Sequence, residues 1–158
     1  QRVLDSMKKG VELEVIDRIV EECVRIGIGM HFYLITGFPT ETPAEARESV
    51  DFVVNNQRVL DSPGFSCIIS QFDLEKGTPL ENNPSEWGIT ELYTPPEHDL
   101  SLGYSYKINT GMDSDEAEVL YRELQEKINQ KVSTFPDNYS LSDGLLYLGH
   151  PQEELTIS

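Results

Sequence analysis

The chain has 158 residues, with 12 Lys and Arg against 28 Asp and Glu and a formal net charge of −16. That balance leaves no basic footprint to neutralise phosphates and would be repelled by an anionic lipid surface, so no nucleic-acid partner and no membrane partner is expected. Hydrophobic residues at 38% and aromatics at 9% suffice for a core at single-domain length, which excludes wholesale disorder.

No apolar run nears the roughly 18 residues of a membrane span, and the N-terminus lacks the basic, apolar, small-residue order of a signal. The expectation is a soluble, cytoplasmic protein. Cys23 and Cys67 are too few and too far apart for a disulfide scaffold or a paired-cysteine metal knuckle, and both read as buried thiols. No cluster of His, Cys and carboxylates has metal-ligand spacing, and His98 and His150, beside loop prolines, read as exposed. The triplet Asn138-Tyr139-Ser140 matches a glycosylation pattern but has no secretory context.

The chain opens Gln1-Arg2-Val3-Leu4 with no initiator Met and no cap, as if entering a helix begun elsewhere, so a fragment of a longer protein is expected. Residues 12–26 place Ile16, Ile19, Val20 and Cys23 at helical spacing, and Gly27 is a natural left-handed terminator. Residues 30–36, bounded by Gly29 and Gly37, form a short, nearly unbroken apolar run rich in β-formers, the pattern of a parallel strand buried on both faces. Thr42-Pro43-Ala44-Glu45 is a capping box with Pro at the first helical position, followed by Ala46, Val50 and Val53 on one face. After a turn at residues 62–64, residues 65–72 read as a second strand. Helix, strand, helix, strand is the alternation of a parallel α/β sheet.

From Glu81 turns and short pieces dominate, and this half carries −11 of the charge. Leu102, Tyr104, Tyr106 and Ile108 alternate with smaller or polar residues, suggesting a one-sided strand. Residues 114–131 read as a helix led by acids and ending near Lys127 and Lys131, which suits the helix dipole. The residues from Phe135 read as loop with at most a short helix around Leu145–Tyr147. Trp87, Tyr93, Tyr104 and Tyr106 read as core at a seam rather than as a ligand groove.

Residues 35–42 join the C-terminal end of an apolar strand to a helix N-terminus, which is where parallel α/β folds bind ligands. Gly37 permits close approach, Pro39 fixes the exit, and the amides of residues 42–45 favour a carboxylate or phosphate. A plain strand–turn–helix joint with a good cap accounts for the same residues.

Gly37-Phe38-Pro39-Thr40-Glu41-Thr42 resembles the G-F-P-G-E-T signature of radical S-adenosylmethionine enzymes, especially cobalamin-binding and methylthiotransferase-like branches. Three further segments fall in that family's order. Gln1 to Gly10 is similar to the stretch after the fourth barrel strand, Gly27 resembles the glycine ending the next helix, and Gly77-Thr78-Pro79 resembles the P-G-T-P after the sixth strand. The resemblance implies that residues 1–80 are the C-terminal half of a parallel (β/α) barrel and that residues 81–158 are a mixed α+β accessory segment packed on it.

The resemblance further implies that Ile35 packs on the adenine, that Gly37, Phe38 and Pro39 back the cofactor, and that the Leu74 backbone meets the adenine edge. Glu41 and Thr42 would serve the turn and the cap, and Thr40 stands where the family often has Gly. The cofactors implied for the full-length enzyme are S-adenosylmethionine and a [4Fe–4S] cluster, with cobalamin in some branches. The family's triad of cluster cysteines is absent, so reductive cleavage would need an N-terminal half of the same chain, and this portion alone is expected to be inactive.

His31 shares a strand face with Tyr33 and Ile35 and could face substrate, although a lone strand histidine is more often a hydrogen-bonded core residue. A half-barrel has an open strand edge, so a homodimer, or pairing of residues 102–109 with that edge, is expected. The competing reading is a non-catalytic α/β interaction or regulatory domain.

Overall fold

The computed structural model describes residues 1–94 and 102–132. The expectations for Pro95, Pro96 and His98, and for everything after residue 132, lie outside the described residues. The chain begins with a short helix α1 (Arg2–Ser6) and the amphipathic helix α2 (Leu13–Ile26), which ends at Gly27 in the left-handed conformation, φ 74°. Strand β1 (His31–Thr36) leads into α3 (Pro43–Val54), a one-turn helix α4 (Gln57–Leu60) and strand β2 (Ser66–Gln71). β1 and β2 are parallel and in register from His31–Ser66 to Thr36–Gln71, with the α3 crossover between them.

The predicted capping box forms. The Thr42 amide donates to Glu45 Oε2 at 2.9 Å, and the Glu45 amide donates to Thr42 Oγ1 at 3.3 Å. A second box, around Asp113, starts α6 (Ser114–Asn129), where Asp113 Oδ1 accepts from the Asp115 and Glu116 amides. α3 and α6 lie side by side on one face of the two-stranded sheet. There Val50, Val53, Ala117 and Leu124 are fully buried against Cys67, Ile69, Phe32 and Leu34. Each such Val or Leu side chain withdraws about 1.5–3 kcal/mol worth of apolar surface from water. A smaller cluster of Val20, Met30 and Val59 seats α2 beside it.

The other face of β1 and β2 is uncovered among the described residues, which corrects the expectation of burial on both faces. Tyr33 is 60% exposed and Ile68 47%, on the face they share with His31 and Ile35. On α2 the apolar stripe is wider than its seat. Val20 is buried, but Ile19, expected in the core face, is 54% exposed, as is Ile26.

Between β2 and α6 the chain makes an excursion through residues 72–113. It holds β3 (Leu74–Glu75), the single-turn α5 (Pro79–Asn82), a 3-10 turn (Pro84–Trp87), β4 (Ile89–Tyr93) and β5 (Gly103–Ile108). Its strands form an antiparallel sheet in the order β3-β5-β4, so β5 does not join the open edge of β1 or β2 as expected. The alternation expected for this strand is also incomplete, since Tyr106 is 2% exposed while Leu102, just before it, is 80% exposed. The aromatic residues serve as seam. Phe38 packs edge-on against Phe72 and Trp87, at ring-centre distances of 5.1 and 5.6 Å. Gln71 Nε2 donates to the Ser114 carbonyl at 3.1 Å, tying the two ends of the excursion together.

Candidate functional site

The turn from Thr36 to Thr42 leaves the C-terminal end of β1, and it is built around a buried carboxylate. Glu41 is 1% exposed, and its Oε2 accepts the Gly37 amide at 2.6 Å and the Thr36 hydroxyl at 3.5 Å, with the Phe38 amide also donating to the carboxylate. Burial pushes the Glu41 carboxyl up to about 7 despite those donors, which favour the ionised form. Glu41 therefore serves the turn, as its place in the motif implied, and Thr42 serves the cap.

The segment after β5 closes the turn from behind. The Tyr106 hydroxyl donates to the Gly37 carbonyl, and the Met112 amide donates to the Glu41 carbonyl at 3.1 Å. A Cβ on Gly37, φ 84°, would lie 2.6 Å from Ala117 Cβ, so helix α6 packs directly against the glycine. From α1, Arg2 grips Glu45 through two nitrogens, at 2.7 and 2.5 Å, and donates to the Thr40 carbonyl at 2.7 Å and its hydroxyl at 3.2 Å. That bidentate pairing holds the Glu45 carboxyl down at about 2.

Thr40 sits at φ 76°, a left-handed conformation in which a β-branched residue is strained. The resemblance placed Gly at this position. Thr40→Gly should raise the unfolding free energy by about 1 kcal/mol, the relief of strain exceeding the added freedom of the unfolded chain. Urea unfolding checks this; a loss of stability would mean that the Arg2 contact to the hydroxyl outweighs the strain.

Several expected site features are placed otherwise than the sequence suggested. The amides of Thr42 and Glu45 are used by the capping box, so that helix end meets its own carboxylate instead of an external anion. The side chains of Phe38 and Pro39 are buried, and both the amide and the carbonyl of Gly37 are hydrogen-bonded within the protein. The Leu74 side chain is 1% exposed, in the cluster with Ile89 and Tyr106, and the residue stands opposite Tyr104 in the antiparallel sheet. Of the five residues implied to meet the cofactor, Ile35 alone offers a partly exposed side chain, on the open face of the parallel sheet.

His31 is exposed on that same face, with Nδ1 2.7 Å from Ser66 Oγ. It stands at the first residue of β1, four positions from Ile35, about 13 Å at the rise of a strand and at the end away from the turn. That placement separates it from the residues implied to meet the cofactor.

Among the described residues no group of three His, Cys, Asp or Glu could hold a metal ion. Cys67 is buried on β2, where burial lifts its thiol to about 11, and Cys23, expected to be buried, is only half-buried on α2. These thiols do not fit an iron–sulfur cluster. No helix among the described residues is long and apolar enough to cross a membrane.

Compared with protein families, curated protein sequences and solved structures, the chain has no match.

Proposed function

We propose that this chain is the C-terminal part of the (β/α) barrel of a radical S-adenosylmethionine enzyme, contributing Ile35 and the Gly37–Pro39 turn to the wall of the adenine pocket. The observation that carries the reading is the sheet of β1 and β2, covered by helices on one face and presenting Tyr33, Ile35 and Ile68 on the other. Parallel strands occur almost only with both faces covered, and in a barrel the uncovered face is the lumen. The glycine turn at the C-terminal end of β1 lies where parallel barrels place their sites. The cluster ligands, S-adenosylmethionine cleavage and any cobalamin site belong, on this reading, to residues outside this chain.

The test is the natural polypeptide that contains this chain, prepared anaerobically, reduced and supplied with S-adenosylmethionine. It should release 5′-deoxyadenosine, whereas residues 1–158 alone should release none. Ile35→Asp, by placing a carboxylate against the adenine, should lower kcat/KM for S-adenosylmethionine at least tenfold, a cost of about 1.4 kcal/mol. A natural polypeptide without three closely spaced cysteines, or one that begins at Gln1, would overturn the reading.

One observation favours a second reading, that of a non-catalytic interaction or regulatory domain. The amide and carbonyl of Gly37 are both satisfied internally, so the turn needs no ligand to be stable. Under that reading the natural polypeptide makes no 5′-deoxyadenosine.

A further inference from the structure

Glu41 is the one charged side chain that is buried among the described residues, and it makes no ion pair there. The charged and titratable groups that face it come from each element around it: Arg2 of α1, Glu45 of α3, Tyr106 of β5 and, beyond Tyr106, Asp113 before α6. Arg2 is committed to Glu45 and Thr40, and Asp113 to Lys107, at 2.8 Å, and the α6 cap. Tyr106 is pushed above its ordinary value by burial, so it keeps its proton through the neutral range and its hydroxyl stays on the Gly37 carbonyl. Glu41 is thus held by hydrogen bonds from the turn itself, from the Gly37 and Phe38 amides and the Thr36 hydroxyl.

A carboxylate oxygen that accepts these donors cannot accept them in the same way once it carries a proton. The new O–H needs an acceptor of its own, and Thr36 Oγ1, 3.5 Å away, is the side-chain oxygen in contact with Oε2. Whichever of the two oxygens takes the proton, the negative charge that strengthens the bond from the Gly37 amide is lost, and the shortest bond in the turn weakens.

We propose that Glu41 is a proton-operated latch on the Gly37–Pro39 turn: ionised, it holds the Gly37 and Phe38 amides; protonated, it releases them and lets the turn and the Phe38 ring shift. The meaning of the shift for a cofactor rests on the reading of this turn as the back of an adenine pocket. The latch itself needs no ligand.

The protein carries its own reporter. Trp87 is the single tryptophan, and its ring meets Phe38 edge-on at 5.6 Å. Emission of the full chain followed from pH 5 to pH 9 should change in one step with a midpoint near 7. The step should vanish in Glu41→Gln and persist in each of His31→Gln, His98→Gln and His150→Gln, which would show that no histidine carries it. Carboxyl-carbon resonances of the glutamate-labelled wild-type chain give a second readout that does not depend on a variant folding: one Glu should titrate near 7, well above the usual 4.3 or so. A step that survives in Glu41→Gln, the absence of any Glu titrating between pH 6 and 8, or such a titration with unchanged Trp87 emission would each overturn the latch. Because no S-adenosylmethionine is present, these outcomes are separate from success or failure of the enzymatic reading.

Discussion

Gly111→Ala should destabilise the protein by more than about 3 kcal/mol, the sum of a left-handed backbone and an overlap that nothing can relieve. Gly111 has φ 101°, and a Cβ there would lie 2.8 Å from Thr40 Cα and 2.9 Å from both the Thr40 carbonyl carbon and the Glu41 carbonyl oxygen. All three are backbone atoms, so no rotamer change makes room. Thr40 is itself strained at φ 76° and held by Arg2, and the next amide, Met112, binds the Glu41 carbonyl. The segment leading into α6 would have to lift off the turn. Gly77→Ala is the control: its φ of 84° carries the same conformational penalty, but a Cβ there meets nothing within 4 Å, so about 1 kcal/mol is expected. Denaturant midpoints of the two variants decide the matter, and equal losses would show that the contact between Gly111 and the turn contributes nothing.

Stability should fall as pH rises through the neutral range, by about 3 kcal/mol between pH 4.5 and pH 8, and Glu41→Gln should remove that slope. Burial raises the folded-state carboxyl from 4.5 to about 7. Its contribution is complete below the unfolded value and is lost as pH rises through the folded one, because the folded protein alone must bury the charge. Glu45 runs the other way: held down at about 2 by Arg2, it supports the fold above 4.5 and loses its effect as pH falls from there. It is partly exposed and screened, so its share is smaller. From pH 5 to pH 8 the Glu41 term governs. Urea unfolding of both chains at pH 5, 6, 7 and 8 measures it, and parallel curves would show that Glu41 does not carry the charge cost.

The parts of the fold that could be read from sequence are those set by local chemistry. Thr42 and Glu45 can satisfy each other's amides only at a helix start, and Gly27 ends α2 because a left-handed residue is needed there. The same holds for β1 and β2, whose apolar runs are too short for helices. β4 was missed because Ile89–Tyr93 is short, half-exposed and broken by a register shift between Ile89 and Glu91, so no period of two survives. The exposure of Ile19 and Tyr33 was illegible for another reason: an apolar residue states that it wants cover, not whether cover is there. At the site, position in the motif located the turn and marked Glu41 as its support, but nothing local revealed that this acid is buried. The sole hint is its spacing, four residues past Gly37, which lets its side chain fold back onto that amide.

The hydrogen bond from Gln71 to Ser114 has an implication for how such a chain can vary. Residues 72–113 depart from and return to neighbouring points, so the path from β2 to α6 would be continuous without them. Segments with adjoining ends are the ones that lengthening, shortening or wholesale replacement disturbs least. Among the described residues, what anchors this one to the turn is a short list of contacts, Phe72 and Trp87 on Phe38, Tyr106 to Gly37, Gly111 to Thr40 and Met112 to Glu41. A related chain could exchange the three-stranded sheet for something quite different and keep the turn intact, provided that it preserved those few touching points.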